Sequence, residues 1–123
     1  MKAEEQLQRA VCALLAIYEA RGLLAFCHVP NGGYRTPAQA GAFKAMGVRS
    51  GVPDLIIWTG SGHSFGIELK GPKGKPSDAQ ILWKSTLESL GHRVYVAWSL
   101  QEVEAALRLE RVPPIGKLME AAE

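Results

Sequence analysis

Three residues whose side chains could hold and use a metal ion are spaced as a β-hairpin would require: Asp54, Glu68 and Lys70. Asp54 precedes an apolar run, residues 55–58, while Glu68 and Lys70 end a second segment, residues 64–70. The sequence between these segments, Thr-Gly-Ser-Gly-His, is typical of a hairpin loop. The pattern therefore predicts two antiparallel strands that carry the three side chains.

The register of this hairpin decides whether the carboxylates meet. If Trp58 faces Ser64 across the loop, Asp54 falls opposite Glu68, where Cβ atoms are about 4.5–5.5 Å apart. Glu68 and Lys70 are two residues apart on one strand, so their side chains share a face. Two opposed carboxylates repel each other, and a divalent cation between them removes that cost. Hard oxygen ligands with open positions for water and phosphate predict Mg²⁺ or Mn²⁺.

A surface salt bridge is the alternative interpretation of Glu68 and Lys70 taken alone, because Glu-x-Lys triplets are common. Asp54 makes the pattern more specific. It is one of two Asp residues in the chain, it follows Pro53, and it opens the strand that pairs with the Glu-x-Lys strand. A lysine-rich segment, residues 71–76 (the basic loop), follows Lys70 directly.

The rest of the chain supplies the elements that must position this hairpin. Helical spacing of apolar residues, capping residues and Gly or Pro stops predict eight elements. They are helix 4–20, strand 23–29, helix 37–46, strand 55–58, strand 64–70, a helix capped by Ser77 and ended by Gly91, strand 94–98, and a helix capped by Ser99 that stops before Pro113. Gln80 completes a capping box with Ser77. The order α-β-α-β-β-α-β-α predicts a mixed α/β domain with the hairpin at the centre of one sheet.

Positive charge is concentrated in the middle of the chain. Residues 35–93 contain eight bases (Arg35, Lys44, Arg49, Lys70, Lys73, Lys75, Lys84, Arg93) and four acids (Asp54, Glu68, Asp78, Glu88). No acid occurs between Glu19 and Asp54. This distribution favours a phosphate backbone as the partner, although an ordinary solvated face would give the same balance.

The length of 123 residues fits one domain with a single core. We expect that domain to cover residues 1–112 and a tail to cover 113–123. No apolar run approaches the roughly 20 residues of a membrane span, and the acidic N-terminus is unlike a signal peptide. The sequence therefore predicts a soluble, cytoplasmic protein with no membrane partner. Cys12 and Cys27 lack CxxC spacing, which favours buried free thiols.

The chemistry-bearing residues resemble a known signature. Pro53-Asp54 followed by Glu68-Leu69-Lys70 is similar to the PD-(D/E)xK nuclease motif, and the wider chain resembles the virus-type replication-repair nuclease (VRR-NUC) family. The matching stretches are His28-Val29-Pro30-Asn31-Gly32-Gly33, Gly47 with Gly51-Val52-Pro53-Asp54-Leu55, Ile67-Glu68-Leu69-Lys70, Ser77 with Gln80, and Glu4 with Leu7-Gln8. The resemblance covers roughly residues 4–108 and is to stand-alone phage and bacterial members.

This resemblance implies a restriction-endonuclease-like mixed sheet flanked by helices, and a particular ligand set. Asp54 and Glu68 would ligate the metal, and the backbone carbonyl of Leu69 would add a third protein oxygen. Glu4 would reach the metal directly or through water. Glu5 competes for that role, but Glu4 shares a helix face with Leu7, Gln8 and Val11.

The resemblance also implies the roles of the remaining site residues. Lys70 would orient or deprotonate the attacking water, and in-line attack on phosphorus would leave a 3′-hydroxyl and a 5′-phosphate. Gln80 would steady the site or contact the scissile strand, with the capping box as its alternative role. His28 is expected to be structural rather than catalytic. The DNA-binding candidates are Arg35, Arg49, Lys73, Lys75 and Lys84.

The function implied is a metal-dependent DNA endonuclease in replication, repair or recombination, in a bacterial cell or a phage-infected host. A short chain leaves little surface for base readout, which favours branched DNA such as junctions or flaps. One metal site cuts one strand, so we expect a homodimer, with apolar residues of helix 37–46 and the tail residues Ile115, Leu118 and Met119 as the surplus apolar surface. The alternatives are a non-catalytic DNA-binding module, an interaction domain, and a restriction-like sequence-specific endonuclease.

Overall fold

In the part of the chain that the structure describes, four strands lie side by side in chain order and form one mixed sheet. The first strand pairs antiparallel with the second, the second pairs antiparallel with the third, and the third pairs parallel with the fourth. The computed structural model describes residues 2–30 and 35–115. The elements are α1 (Ala3–Ala20), β1 (Leu24–His28), α2 (Pro37–Ala45), β2 (Leu55–Thr59), β3 (Ser64–Leu69), α3 (Asp78–Ser89), β4 (Val94–Ala97) and α4 (Leu100–Leu109). The predicted order of elements and the mixed α/β class are confirmed.

The register of the central hairpin is the predicted one. Trp58 pairs with Ser64, and Leu55 pairs with Ile67 at the other end of the ladder. Asp54 immediately precedes β2, so the same register places it opposite Glu68 on β3. The hairpin lies at the centre of the sheet, between β1 and β4.

The hydrophobic core lies on one face of the sheet, where α1 and α4 pack. Its buried members are Val11, Leu15, Tyr18, Leu24, Leu55, Ile57, Phe65, Ile67, Leu69, Ala97, Val103, Leu107 and Val112. Side chains alternate along a strand, so burial of Ile67 and Leu69 in this core turns Glu68 to the opposite face. That alternation is what the Ile-Glu-Leu sequence predicted.

Local sequence signals fix where the helices start. Thr36 and Ser77 each form a reciprocal capping box, with Gln39 and Gln80 respectively, at the starts of α2 and α3. Ser99 caps α4 through a bond from the backbone N–H of Glu102. These short-range bonds fix the residue at which each of the three helices begins.

Two sequence expectations need correction or refinement. Cys27 is exposed and Cys12 is half-buried, so the predicted burial of both thiols is wrong. Leu24 and Phe26 of β1 point toward the core, which turns Cys27 to the other face of the sheet. β3 ends at Leu69, so Lys70 is the first residue after the strand.

Helix α2 contributes no buried residue to the core, although most of its side chains are apolar or small. Ile115 packs against the edge of the core, whereas Leu118 and Met119 lie outside the described residues. Within residues 2–30 and 35–115, no helix is both long enough and apolar enough to cross a membrane.

Candidate metal centre

The position of Asp54 is set by close packing of the segment that precedes it. A Cβ added to Gly66 would lie 2.7 Å from Cγ of Pro53, so the glycine leaves room for the proline ring. Gly51 has φ of +85°, and a Cβ there would lie 2.5 Å from the backbone of Ala79. The Gly-Val-Pro-Asp sequence thus fits a narrow space between β3 and the start of α3.

The carboxylate of Asp54 is fixed to the neighbouring strand by a hydrogen bond. The backbone N–H of Leu69 donates to Oδ2 of Asp54 at 2.7 Å, a short charge-assisted bond. One carboxylate oxygen is therefore held by β3. The other oxygen, Oδ1, is left as the candidate ligand for a cation.

Glu68 is 0 % exposed, and neither of its carboxylate oxygens has a hydrogen-bond partner. Burial raises the pKa of Glu68 from 4.5 to about 7, against the opposing effect of the Lys70 charge. The charge of Asp54 raises this pKa further, while Lys84 lowers it. A buried carboxylate without a partner is costly, which is why such groups in native proteins require an explanation.

The surface salt bridge considered for Glu68 and Lys70 is therefore wrong, because Glu68 is neither on the surface nor hydrogen-bonded. Lys70 is half-buried directly after β3, close enough for its charge to act on Glu68. Glu68 is therefore an acid without a hydrogen-bond partner, and the Lys70 cation lies close to it. A ligand bound there could contact both side chains.

A hard divalent cation fits this donor set. The two orphaned oxygens of Glu68 and the free oxygen of Asp54 are the oxygen ligands that Mg²⁺ and Mn²⁺ prefer. In the described part of the chain, no three His, Cys, Asp or Glu side chains converge as a metal-binding group. Mg²⁺ is commonly held by one or two carboxylates and several waters, so a two-carboxylate centre suffices.

An open cleft of about 380 Å³ lies beside Asp54. Its lining residues are Lys2, Glu4, Glu5, Gln8, His28, Pro30 and Asp54. Glu4 and Glu5 both line it, but the Glu5 carboxylate pairs with Arg9 at 3.3 Å. This favours Glu4 as the acidic side chain of α1 that serves the site, in agreement with the helix-face argument.

His28 is closer to this centre than its sequence suggested. Its Nδ1 lies 2.9 Å from the carbonyl oxygen of Asp54, which also accepts a bond from the backbone N–H of Val29 at 2.7 Å. A carbonyl can only accept, so Nδ1 carries the hydrogen. The expected structural role of His28 therefore includes holding the backbone of Asp54.

Gln80 occupies the capping position that was its alternative role. Its side-chain oxygen accepts a bond from the backbone N–H of Ser77 at 2.9 Å. The side-chain amide nitrogen is the group left for a contact with the scissile strand, and a catalytic role for Gln80 stays a prediction.

Sequence reasoning missed that α2 and the loop after it form a second cleft, of about 340 Å³. Its lining residues are Pro30, Arg35, Ala40, Lys44, Val48, Arg49 and Ser50 (the basic cleft). None of these described residues is acidic. The guanidinium of Arg35 lies 4.6 Å from the ring of Phe43, and that of Arg49 lies 5.2 Å from the ring of Trp83. Pro30 also lines the cleft beside Asp54, so the two clefts adjoin.

The other cationic candidates lie on two different elements. Lys73 and Lys75 are exposed on the basic loop, next to the centre. Lys84 lies on α3, where its Nζ pairs with Glu88 at 2.9 Å. The structure thus divides the candidates into the basic cleft, the basic loop and α3, which their spacing in sequence did not separate.

Comparison with known proteins identifies the family. The VRR-NUC domain matches residues 3–101, which is most of the chain. The chain belongs to the VRR-NUC domain family. The match confirms the resemblance inferred from the motifs, and it spans Glu4, the Asp54–Glu68 pair, Lys70 and the basic cleft.

Relatives with curated names share a shorter stretch with this VRR-NUC domain. Fanconi-associated nuclease 1 from Homo sapiens is 39 % identical over 49 residues, or 39 % of this chain and 5 % of that protein. The same nuclease from Ailuropoda melanoleuca is 41 % identical over 49 residues, with the same coverage. The matched segment is therefore a small part of a far longer nuclease.

Solved structures agree over nearly the whole chain. One described as a VRR_NUC domain protein superposes with a TM-score of 0.66 at 25 % identity, covering 89 % of this chain and 88 % of that one. A second, described as a VRR_NUC domain, has a TM-score of 0.59 at 22 % identity, with 88 % and 97 % covered. Together with the family match, the first likeness confirms the expected restriction-endonuclease-like mixed sheet flanked by helices, and the second agrees with that fold.

Proposed function

We propose that this VRR-NUC domain is a metal-dependent DNA endonuclease whose centre consists of Asp54, Glu68 and Lys70. The observation that carries the proposal is Glu68, which is fully buried with both oxygens unpartnered. A purely structural role offers no interaction that offsets the cost of burying this carboxylate, whereas a cation shared with Asp54 would offset it. A non-catalytic DNA-binding module would have no need of this arrangement.

The chain's own residues have distinct parts in the proposed reaction. Asp54 and Glu68 would hold Mg²⁺ or Mn²⁺, the backbone carbonyl of Leu69 would be a further oxygen donor, and Glu4 would reach the cation through a bound water. When bound, the cation supplies positive charge against the scissile phosphate and the attacking oxygen. Lys70 orients the attacking water and stabilises negative charge that develops on the phosphate.

DNA is the substrate that the surface charge supports. The basic cleft adjoins the cleft beside Asp54 at Pro30, so a strand bound at Asp54 can continue past Arg35, Lys44 and Arg49. Lys73 and Lys75 lie on the loop that packs against Lys70, and Lys84 lies on α3, where it pairs with Glu88. These groups carry positive charge and little base-reading capacity, which supports contacts to phosphates rather than to sequence.

We further propose selectivity for branched DNA and action as a homodimer. The small surface around the centre supports recognition of shape over base sequence. Two copies related by a two-fold axis would place two centres on two strands. The exposed apolar surface at the end of α2, where Met46 is 71 % exposed, supports an interface there.

The test is cleavage of end-labelled four-way junction, flap, duplex and single-stranded DNA with Mg²⁺, Mn²⁺ or excess EDTA. Wild-type protein should cut with either metal and not in EDTA. Asp54→Asn, Glu68→Gln and Lys70→Met should each lose at least about a hundredfold in rate while still binding DNA. Asp78→Asn, which changes the other aspartate, is the matched control and should cut normally.

Different outcomes select different functions. Binding of DNA without cleavage by any preparation would indicate the non-catalytic module. Cutting of duplex DNA at one sequence would indicate a restriction-like enzyme. Cleavage that persists in EDTA, or in the Glu68→Gln variant, would overturn the assigned centre.

A further inference from the structure

Trp98 lies beside the proposed catalytic lysine because of the parallel pairing of β3 and β4. Leu69 pairs with Ala97 at the end of this ladder, and the backbone N–H of Lys70 donates to the carbonyl of Ala97 at 3.0 Å. The next residues in the same register are Lys70 and Trp98. The indole therefore starts from a backbone position adjacent to that of Lys70.

The indole of Trp98 is bonded to the basic loop. Its Nε1–H donates to the carbonyl oxygen of Gly74 at 2.8 Å. Within the loop, the N–H of Gly74 donates to the carbonyl of Gly71 at 2.9 Å and closes a turn. Pro72 and Pro76 have no backbone N–H to donate, so the loop has few hydrogen bonds of its own. The bond from Trp98 is thus a principal tie between the loop and the sheet.

The loop held in this way lies against the side chains of the centre. A Cβ added to Gly74 would be 3.3 Å from Cβ of Lys70, so the loop covers the base of that side chain. A Cβ added to Gly71 would be 3.8 Å from Cβ of Glu4. The start of the loop is therefore packed next to the first turn of α1, and its middle is packed against Lys70.

We propose that Trp98 is a positioning residue of the centre. Its indole N–H fixes the basic loop against Lys70, which limits the directions that the Lys70 ammonium can take. The same bond holds Lys73 and Lys75 in place to contact phosphates of the bound DNA. The expected effects on DNA binding and catalysis rest on the function proposed above. The hydrogen bond from Trp98 to Gly74 does not depend on that function.

DNA binding in EDTA tests the proposal without cleavage. Trp98→Phe keeps an aromatic ring and removes the donor, so affinity for a short duplex should fall about two- to tenfold, as expected for one hydrogen bond. The slope of log affinity against log salt should also become shallower, by up to about 0.9 for each phosphate that a lysine no longer reaches. Trp58→Phe is the matched control, because Trp58 is 46 % exposed and Trp98 is 39 % exposed.

A double-mutant cycle separates positioning from direct contact. In a Lys73→Ala, Lys75→Ala background, Trp98→Phe should cost much less affinity than in the wild type, because the groups that it positions are gone. An equal loss in both backgrounds would mean that the indole itself contacts DNA, and would overturn the proposal. Affinity unchanged by Trp98→Phe would overturn it as well.

Two further measurements test the Trp98 bond in the absence of DNA and its effect on the cleavage rate. In ¹H–¹⁵N spectra, the indole N–H of Trp98 should exchange with solvent more slowly than that of Trp58, and equal rates would contradict the bond. Under single-turnover conditions with saturating DNA, Trp98→Phe should cut at least about threefold more slowly at unchanged melting temperature, since removal of one hydrogen bond amounts to about two- to tenfold. An unchanged cleavage rate would show that Trp98 does not position Lys70. If the wild type cuts no DNA at all, the proposed function fails, while the exchange and binding results still decide the role of Trp98.

Discussion

The imidazole of His28 donates a hydrogen bond through Nδ1 to the backbone carbonyl of Asp54 at a distance of 2.9 Å. This bond joins β1 to the segment that carries the carboxylate proposed to bind the metal, and it is reinforced by the bond from Val29 to the same oxygen. The backbone of Asp54 is therefore held by β1, while its side chain is held by Leu69 of β3. The backbone and the side chain of Asp54 are thus both held in place by hydrogen bonds before a ligand binds.

Replacement of His28 should weaken metal binding without unfolding the domain. Groups that orient a ligand from outside the coordination shell commonly contribute about 10- to 100-fold in metal affinity, and we expect roughly tenfold for His28→Ala. Mn²⁺ titration followed by calorimetry or electron paramagnetic resonance measures this directly. His92→Ala is the control, since His92 lies near Ser64 at the other end of β3. Equal Mn²⁺ affinity in the His28 variant and the wild type would contradict the positioning role.

The raised pKa of Glu68 makes stability depend on pH in a definite direction. Between about pH 4.5 and 7, folded protein keeps a proton on Glu68 that the unfolded chain releases. The free energy of unfolding therefore falls as pH rises through this window. The Glu68→Gln variant cannot ionise at this position, so it does not lose stability as the pH rises. In EDTA at pH 8 it should be more stable than wild type by on the order of 3 kcal/mol. At pH 4.5 the two proteins should be about equally stable.

Urea unfolding at pH 4.5 and pH 8 measures this difference. Mg²⁺ or Mn²⁺ at pH 8 should restore the stability of the wild type, because the cation binds the ionised Glu68 of the folded state. The metal should do little for Glu68→Gln. Glu88→Gln, at an exposed position of α3, should follow the wild type throughout. A variant less stable than wild type at pH 8 would show that Glu68 is satisfied in some other way.

The hairpin was predictable because its register depends on features close together in sequence. Alternation of apolar and polar residues fixes which face each side chain takes, and the short loop fixes how the strands pair. The opposition of Asp54 to Glu68 follows from these two facts. The helix caps were predictable for the same reason, since each involves residues three positions apart.

The burial of Glu68 was not predictable from the hairpin alone. It depends on β4, which pairs with β3 in parallel after a connection that includes α3. The contact of His28 with Asp54 likewise requires β1 to lie on the far side of β2. The basic cleft requires a particular placement of α2, a helix that no buried side chain anchors. Long-range packing decided all three, and local patterns carry little information about it.

The glycine that makes room for Pro53 should be intolerant of substitution. Gly66→Ala would put a Cβ 2.7 Å from the Pro53 ring, in a buried site where backbone must move. We expect a loss of about 1–3 kcal/mol in the free energy of unfolding, as for other overpacked sites. Because Asp54 follows Pro53, Mn²⁺ affinity should fall as well.

Gly41→Ala is the matched control for this substitution. Gly41 lies within α2, and a Cβ there would meet no atom within 4 Å. Alanine stabilises a helix interior by roughly 0.5–1 kcal/mol over glycine, so this variant should be slightly more stable than wild type. Chemical unfolding of both variants decides the point. A Gly66→Ala protein with wild-type stability and metal affinity would show that Pro53 can shift freely.

The basic cleft should contribute to DNA binding through charge alone. Lys44→Ala should weaken binding to junction, flap and duplex DNA alike, and should reduce the salt slope by about 0.9. Arg108→Ala is the control, because Arg108 is exposed on α4 and lies outside this cleft. Fluorescence anisotropy across a salt series makes the measurement. A loss confined to one DNA structure would mean that Lys44 reads shape instead of supplying charge.

The homodimer proposed above depends on exposed apolar surface at the end of α2. Met46, 71 % exposed, follows a helix that buries none of its residues in its own core. Met46→Glu would place a charge in an interface formed there, and should shift the protein from dimer to monomer at micromolar concentration. Leu90→Glu is a matched control at 70 % exposure, located after α3. Sedimentation distinguishes a mass near 13.3 kDa from twice that value. A dimer that survives Met46→Glu but dissociates with Leu90→Glu would mean that the interface lies at α3 instead. A wild-type monomer that still makes paired cuts in a four-way junction would refute the argument that two sites related by a two-fold axis are needed.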